Sequence, residues 1–255
     1  MPSIIFDDVT FSYPVFDLTG RSVKVSLMKR FGGNRMGGVA YVTALSQVSL
    51  EISEGDRVGL IGRNGAGKST MLRLMAGLLH PTHGKVKIEG RLVPLIAKGL
   101  GLHPELSGYE NIELPMRLLG AKSTEIHAAK KEIPQWTDLG EFIHLPLRTY
   151  SDGMRARLLF AICTAVRGDV LVMDEWLSAG DADFVSKAEQ RLRDMVSDAG
   201  VVVLSSHSMD LIRSLCNVVV WMEEGRVVLV GDADTVIRAY LIGMQKPPSA
   251  TAAAA

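Results

Sequence analysis

The sequence predicts an α/β fold built on a buried, largely parallel sheet, with a smaller antiparallel β subdomain and an inserted α-helical subdomain. Three observations predict it. Apolar runs rich in β-branched residues recur at 57–61, 170–173, 201–205 and 218–221, with helical patterns between several of them. Short segments of alternating polarity at 4–6, 48–52, 85–89 and 227–230 suit antiparallel strands with one polar face, able to form a second, smaller sheet. From about Tyr109 to Glu141 helix formers dominate, with breaks expected at Pro115, Gly120 and Pro134.

At 255 residues the chain can bury one substantial core plus a small subdomain, but hardly two independent domains of ordinary size. Its apolar runs, such as 201–204 and 218–222, are far shorter than the roughly 20 residues of a membrane-spanning helix, so the chain is not expected to cross a bilayer. Lys plus Arg equals Asp plus Glu at 28 each, which leaves no global field to attract nucleic acid, and no nucleic-acid partner is expected. Charge is local instead. Residues 18–50 contain Arg21, Lys24, Lys29, Arg30 and Arg35 and no acid, which suits either a basic amphipathic helix near a membrane or a solvated basic face.

The cysteines, Cys163 and Cys216, lie in apolar stretches without metal-ligand spacing, which fits a reducing cytoplasm. No basic region followed by an apolar core opens the chain, so secretion by a signal peptide is not expected. Residues 243–255 are expected to be a flexible tail behind one domain at 1–242, with the helical subdomain at about 98–168 inside it.

The strongest chemical signal is Gly62-Arg63-Asn64-Gly65-Ala66-Gly67-Lys68-Ser69-Thr70, a glycine-rich phosphate loop that follows the apolar strand at 57–61 and precedes a helical pattern at 71–77. Glycines let the backbone curl so that several N–H groups converge on one anion, and the helix that follows adds its positive end. Lys68 is then expected to reach the β- and γ-phosphates, while the Ser69 hydroxyl coordinates Mg²⁺, which prefers hard oxygen ligands.

Downstream, the buried run 170–173 ends in Asp174-Glu175, two carboxylates at the edge of a sheet where open α/β folds bind ligands. Asp174 is expected to hold the magnesium shell. Glu175, on the opposite face of the extended backbone, is expected to orient and deprotonate the attacking water. Two acids at a strand end say little alone, because strand ends emerge into solvent; the upstream loop gives the pair its meaning.

Such loops serve many NTPases, so the class rests on the surrounding motifs. Tyr150-Ser151-Asp152-Gly153-Met154, before a helical run at 155–166, resembles the signature motif of the ATP-binding-cassette (ABC) ATPases. Taken singly, Ser151 reads as a plain helix N-cap. Ser178-Ala179-Gly180-Asp181 resembles the family's loop that communicates across the dimer, and His207, after the strand at 201–205, resembles its switch histidine. The elements fall in the family's order, and the resemblance runs from Ile4 to Tyr240.

The resemblance implies the P-loop ABC-ATPase fold and a transporter subunit that hydrolyses ATP with Mg²⁺. It implies catalytic roles for Glu175, His207 and Lys68, and metal ligation by Ser69 and Asp174. Nucleotide contacts are implied for Gly62 through Thr70, Ser151, Gly153 and Asp181. Ser151 and Gly153 are expected to touch the γ-phosphate held by a second copy, so that two chains clamp two MgATP. Tyr13 occupies the expected adenine-stacking position, although Tyr41, beyond the basic insertion, suits the role as well.

Tyr-Ser-x-Gly-Met, His103-Pro104-Glu105-Leu106-Ser107-Gly108 before Glu110-Asn111-Ile112, and Gly180-Asp181-Ala182-Asp183-Phe184 resemble in particular the ATPases that export O-antigen, capsular or teichoic-acid polysaccharides. That resemblance implies a peripheral subunit on the cytoplasmic face, two copies of a separate membrane-spanning permease, and a lipid-linked glycan handled through the permease. A further carbohydrate-binding domain, carried by some relatives, is not expected. Two departures stand out: no Gln lies between Val86 and Asn111, where most of the family places one and Lys98 is the ungapped counterpart, and Asp152 replaces a usual small residue. A soluble ABC ATPase acting on ribosomes or DNA usually has two cassettes or a coiled-coil insertion, neither of which is present. A non-catalytic regulatory module is opposed by the intact Lys68, Asp174, Glu175 and His207 set.

Overall fold

A computed structural model describes residues 1–15, 34–36, 39–96, 101–174 and 182–245. Along the chain lie β1 (Ser3–Val15), β2 (Asn34–Met36), β3 (Val39–Ile52), β4 (Arg57–Ile61), α1 (Lys68–Met75), β5 (His83–Glu89), β6 (Leu92–Leu95), α2 (Glu113–Leu118) and α3 (Ser123–Thr137). They are followed by α4 (Asp152–Thr164), β7 (Val170–Asp174), α5 (Ala182–Asp198), β8 (Val201–Ser205), α6 (Met209–Leu215), β9 (Val218–Glu223), β10 (Arg226–Asp232) and α7 (Ala233–Gln245). Contacts divide the chain into a loop-bearing unit (Ile5–Ile52, Asp56–Lys87 and Leu204–Ala255) and a helical unit (Met1–Ile4, Ser53–Gly55 and Ile88–Val203), and the division falls within the fully buried β8.

In the loop-bearing unit, β4 and β9 pair in parallel from Val58↔Val218 to Ile61↔Trp221. Every residue of β4 after Arg57 is buried, as an apolar run flanked on both faces requires. The smaller sheet has the order β2-β3-β1-β5, which gathers three of the four alternating segments. The fourth, 227–230, lies outside this sheet: β10 pairs antiparallel with β9, Arg226 opposite Glu223. The cause is local. Glu224 and Gly225 both have positive φ, 46° and 77°, as a two-residue hairpin turn requires, and such a turn returns the chain directly onto the strand it left. Helix α7 covers this pair with Tyr240, whose ring meets Trp221 edge-on at 5.7 Å.

In the helical unit β6 and β7 pair in parallel, Leu92↔Val170 to Leu95↔Met173. Helices α3, α4 and α5 meet at Trp136, Phe160 and Phe184, a ring cluster on which the Arg157 and Arg191 guanidiniums lie at 5.1 and 4.9 Å from the Phe184 and Trp136 centroids. Of the expected breaks, Gly120 ends α2 with φ 74°, but Pro115 and Pro134 lie inside α2 and α3. Pro115 sits in a first turn, where its missing N–H has no partner to lose. Pro134 sits in the last turn of α3, where the Thr137 hydroxyl donates to the Ile133 carbonyl at 2.8 Å.

Cys163 and Cys216 are both buried and free, and burial pushes each thiol up to about 12, so neither is a nucleophile near neutral pH. Among the described residues no helix is long and apolar enough to cross a membrane.

Candidate functional site

The phosphate loop begins where buried β4 ends and closes on α1, whose N-cap is Gly67 with φ 102° and no side-chain cap. Without a capping side chain, the first amides of α1 are offered to an external acceptor. The glycines are demanded by geometry. Gly62 has φ 149°, and a Cβ there would collide with the Met222 carbonyl; a Cβ on Gly67 would approach the Ala44 carbonyl and Leu45 Cδ2, each to 2.8 Å. Arg63, Asn64, Gly65 and Ser69 are exposed, while Ala66, Lys68 and Thr70 are buried.

Lys68 Nζ donates to the Gly62 carbonyl at 2.6 Å and to the Arg63 carbonyl at 3.3 Å. A buried ammonium that rests on neutral carbonyls at the rim of such a loop is matched to an incoming polyanion. The loop is also braced by residues that sequence reasoning did not single out. Gly225 N–H, in the β9–β10 turn, donates to the Ala66 carbonyl at 3.1 Å, and Ser46 N–H of β3 donates to the Gly225 carbonyl at 2.9 Å. Glu224-Gly225 between two apolar runs was the available signal.

Tyr13 is brought to this loop: its hydroxyl lies 3.4 Å from Thr70 Oγ1, and its ring meets Phe11 edge-on at 4.8 Å. Tyr41 lies opposite Asn34 in the β2–β3 pairing. His207 is exposed just beyond β8, between Ser206, whose Oγ accepts from Ser208 N–H at 3.1 Å, and Ser208, whose Oγ caps α6 by accepting from Leu211 N–H at 3.3 Å. Two hydroxyl-closed turns thus fix the backbone on either side of the histidine.

In the helical unit Asp174 is the last residue of β7 and partly exposed after four buried residues. Ser151 caps α4, its Oγ accepting from Met154 N–H at 3.2 Å, so the plain N-cap reading describes the local geometry. A hydroxyl that accepts one bond still has a proton to donate. A Cβ on Gly153 would meet nothing closer than Ser151 Oγ at 3.9 Å, so its own surroundings do not require glycine there. Asp152 points into solvent with Arg155 Nη1 at 3.9 Å, an exposed pair of little energetic weight. A cavity of about 450 Å³ beside the turn is lined by Asp138, Leu139, Phe142, Ser151, Gly153, Met154 and Arg157. Glu175, the segment from Ser178 to Asp181, Lys98 and most of the basic insertion lie outside the described residues.

A family model described as ABC transporter matches residues 45–178. The O-antigen export system ATP-binding protein RfbE of Yersinia enterocolitica is 43% identical over 231 residues, covering 89% of this chain and 97% of that protein. The teichoic acids export ATP-binding protein TagH of Listeria innocua is 42% identical over 197 residues, 77% of this chain and 58% of that longer protein. Among solved structures, the dimeric post-hydrolysis state of the ATP-binding cassette MJ0796, bound to ADP and Pi, matches in fold with a TM-score of 0.68 and 23% identity, covering 90% of this chain and 98% of that one.

Proposed function

The chain belongs to the ABC transporter family, and from that premise we propose that it is the ATP-hydrolysing subunit of an exporter that moves a polysaccharide or lipid-linked glycan across the cytoplasmic membrane. The observation that carries the reading is the buried Lys68 ammonium resting on the carbonyls of an uncapped, glycine-shaped loop. The export systems named for RfbE and TagH support the cargo class.

Two copies of the chain dimerise around two MgATP. In each, amides of Gly62 through Thr70 hold the β- and γ-phosphates, Lys68 exchanges its carbonyl partners for phosphate oxygens, and Tyr13 stacks on adenine. The Ser69 hydroxyl and the Asp174 carboxylate are hard oxygen donors that would hold Mg²⁺, which would supply neutralisation of the charge that develops on the phosphates. Glu175 takes a proton from the attacking water, His207 senses the γ-phosphate, and Asp181 carries the signal between copies. Ser151 and Gly153 complete the site of the other copy: the Ser151 proton is donated to the γ-phosphate, and the open space at Gly153 admits it.

The subunit is peripheral on the cytoplasmic face and drives two permease copies, which contact the glycan. The test is purification of the full chain from its native membranes. Magnesium-dependent ATP hydrolysis together with recovery of a membrane permease supports the reading; recovery with ribosomes, or no hydrolysis, contradicts it.

A further inference from the structure

The turn that carries Ser151 does not stand alone. The segment 103–110 runs beside the segment 142–150, and the two are laced by backbone bonds: Tyr109 N–H to the Ile143 carbonyl at 2.8 Å, Leu147 N–H to Leu106 at 2.9 Å, Arg148 N–H to Pro104 at 2.9 Å and Gly108 N–H to Leu145 at 3.3 Å. On the far side, Asn111 holds the first segment in shape. It is 1% exposed, its Oδ1 accepts from His103 N–H at 2.6 Å, and its Nδ2 faces the His103, Leu106 and Ser107 carbonyls at 3.0, 3.0 and 2.8 Å.

Tyr150, the residue immediately before Ser151, ties this plate to the turn. Its side chain is buried, its hydroxyl donates to the Phe142 carbonyl at 2.5 Å, and it fills the space above Gly108 so closely that a Cβ there would collide with the hydroxyl. A polar atom placed this way spends one hydrogen bond on a backbone carbonyl eight residues away, which an apolar side chain at position 150 would leave without that partner.

We propose that Tyr150 is a positioning residue: through the Phe142 carbonyl and Gly108 it locks the Ser151 turn to the Asn111-held plate, and thereby sets the turn for the nucleotide of a second copy. The inference rests on the shared-site reading given above. Tyr150 touches no nucleotide. It acts by fixing where the Ser151 hydroxyl and the first amides of α4 stand when two chains close, and a motion of the plate is delivered to that turn.

The experiment uses the full chain with Glu175→Gln, which retains ATP, and reads two quantities: affinity for a fluorescent ATP analogue in the monomer, and the ATP concentration at half-maximal dimerisation by light scattering. Tyr150→Phe, which deletes only the hydroxyl, and Gly108→Ala, which displaces it, are compared with Ser151→Arg. The expected result for both is a rise of about 2- to 10-fold in the ATP needed for dimerisation, the worth of one hydrogen bond, with monomer affinity changed less than about twofold. Unchanged dimerisation in both, while Ser151→Arg abolishes it, overturns the positioning role alone. Unchanged dimerisation in Ser151→Arg as well overturns the shared-site reading beneath it. Parallel loss of monomer affinity and dimerisation makes Tyr150 a general support of the fold and also overturns the proposal.

Discussion

The Lys68 ammonium donates to the Gly62 carbonyl at 2.6 Å, so the cation proposed to meet phosphate is held by the first residue of its own loop. On the proposed reading nucleotide competes with these carbonyls, and the exchange is favoured because a phosphate oxygen is the stronger, charge-assisted acceptor. Lys68→Ala removes that exchange. Binding of ATP measured by calorimetry should weaken by about 10- to 150-fold, the worth of a charged hydrogen bond; affinity within twofold of wild type contradicts the role.

Glu175→Gln keeps the shape of the side chain and removes its basicity. ATP binding should be retained while turnover falls by about 10²- to 10⁴-fold, the usual contribution of a positioned base. A steady-state rate near wild type removes Glu175 from the chemistry.

Gly225 lies far from the loop in sequence and yet supports it. A Cβ there would approach the Ala44 carbonyl to 2.6 Å, on a residue whose φ is already 77°. Gly225→Val should destabilise the chain by about 1–3 kcal/mol and weaken nucleotide binding as the Ala66 carbonyl loses its partner. A thermal midpoint and affinity equal to wild type would show the brace to be dispensable.

These residues mark what was legible in the sequence. The phosphate loop, the acidic strand end and the order of motifs are local patterns, and each requires only a few consecutive residues. The Gly225–Ala66 bond and the Tyr150–Phe142 bond were not legible, because a contact between a side chain or amide and a distant carbonyl leaves no periodicity. The segment 227–230 is the antiparallel strand its alternation predicts, but its partner was not legible for a related reason: alternation fixes one polar face, while the positive-φ pair Glu224-Gly225 chooses the neighbouring strand. The general rule predicts a helix break at Pro134, but α3 runs through it to Thr137, and nothing in the structure explains that tolerance.

Acid sensitivity should concentrate in the helical unit. Arg91 makes a two-pronged contact with Glu125, at 2.9 and 3.2 Å, and donates to the Gly120 carbonyl at 2.9 Å. The Arg91 hydrogen bonds, and then the Lys122 amide, hold the Glu125 carboxyl below the usual range. A depressed folded value means that this stabilisation is present above the unfolded value of about 4.3 and is lost as pH falls through the folded value. Arg91→Met should lower stability at neutral pH and make the loss of stability below about pH 4.5 shallower. Parallel curves for the two proteins, followed by urea unfolding at each pH, would contradict the assignment.

The central claim is that each nucleotide is served by two copies, Lys68 from one and Ser151 from the other, and mixing tests it most directly. Lys68→Ala and Ser151→Arg chains should each be inactive alone. Mixed in equal amounts they should recover up to about one quarter of the wild-type rate, since half of randomly formed dimers are mixed and each of those has one complete site of two. Wild-type hydrolysis by Ser151→Arg alone, or a mixture no more active than the sum of its parts, would contradict it.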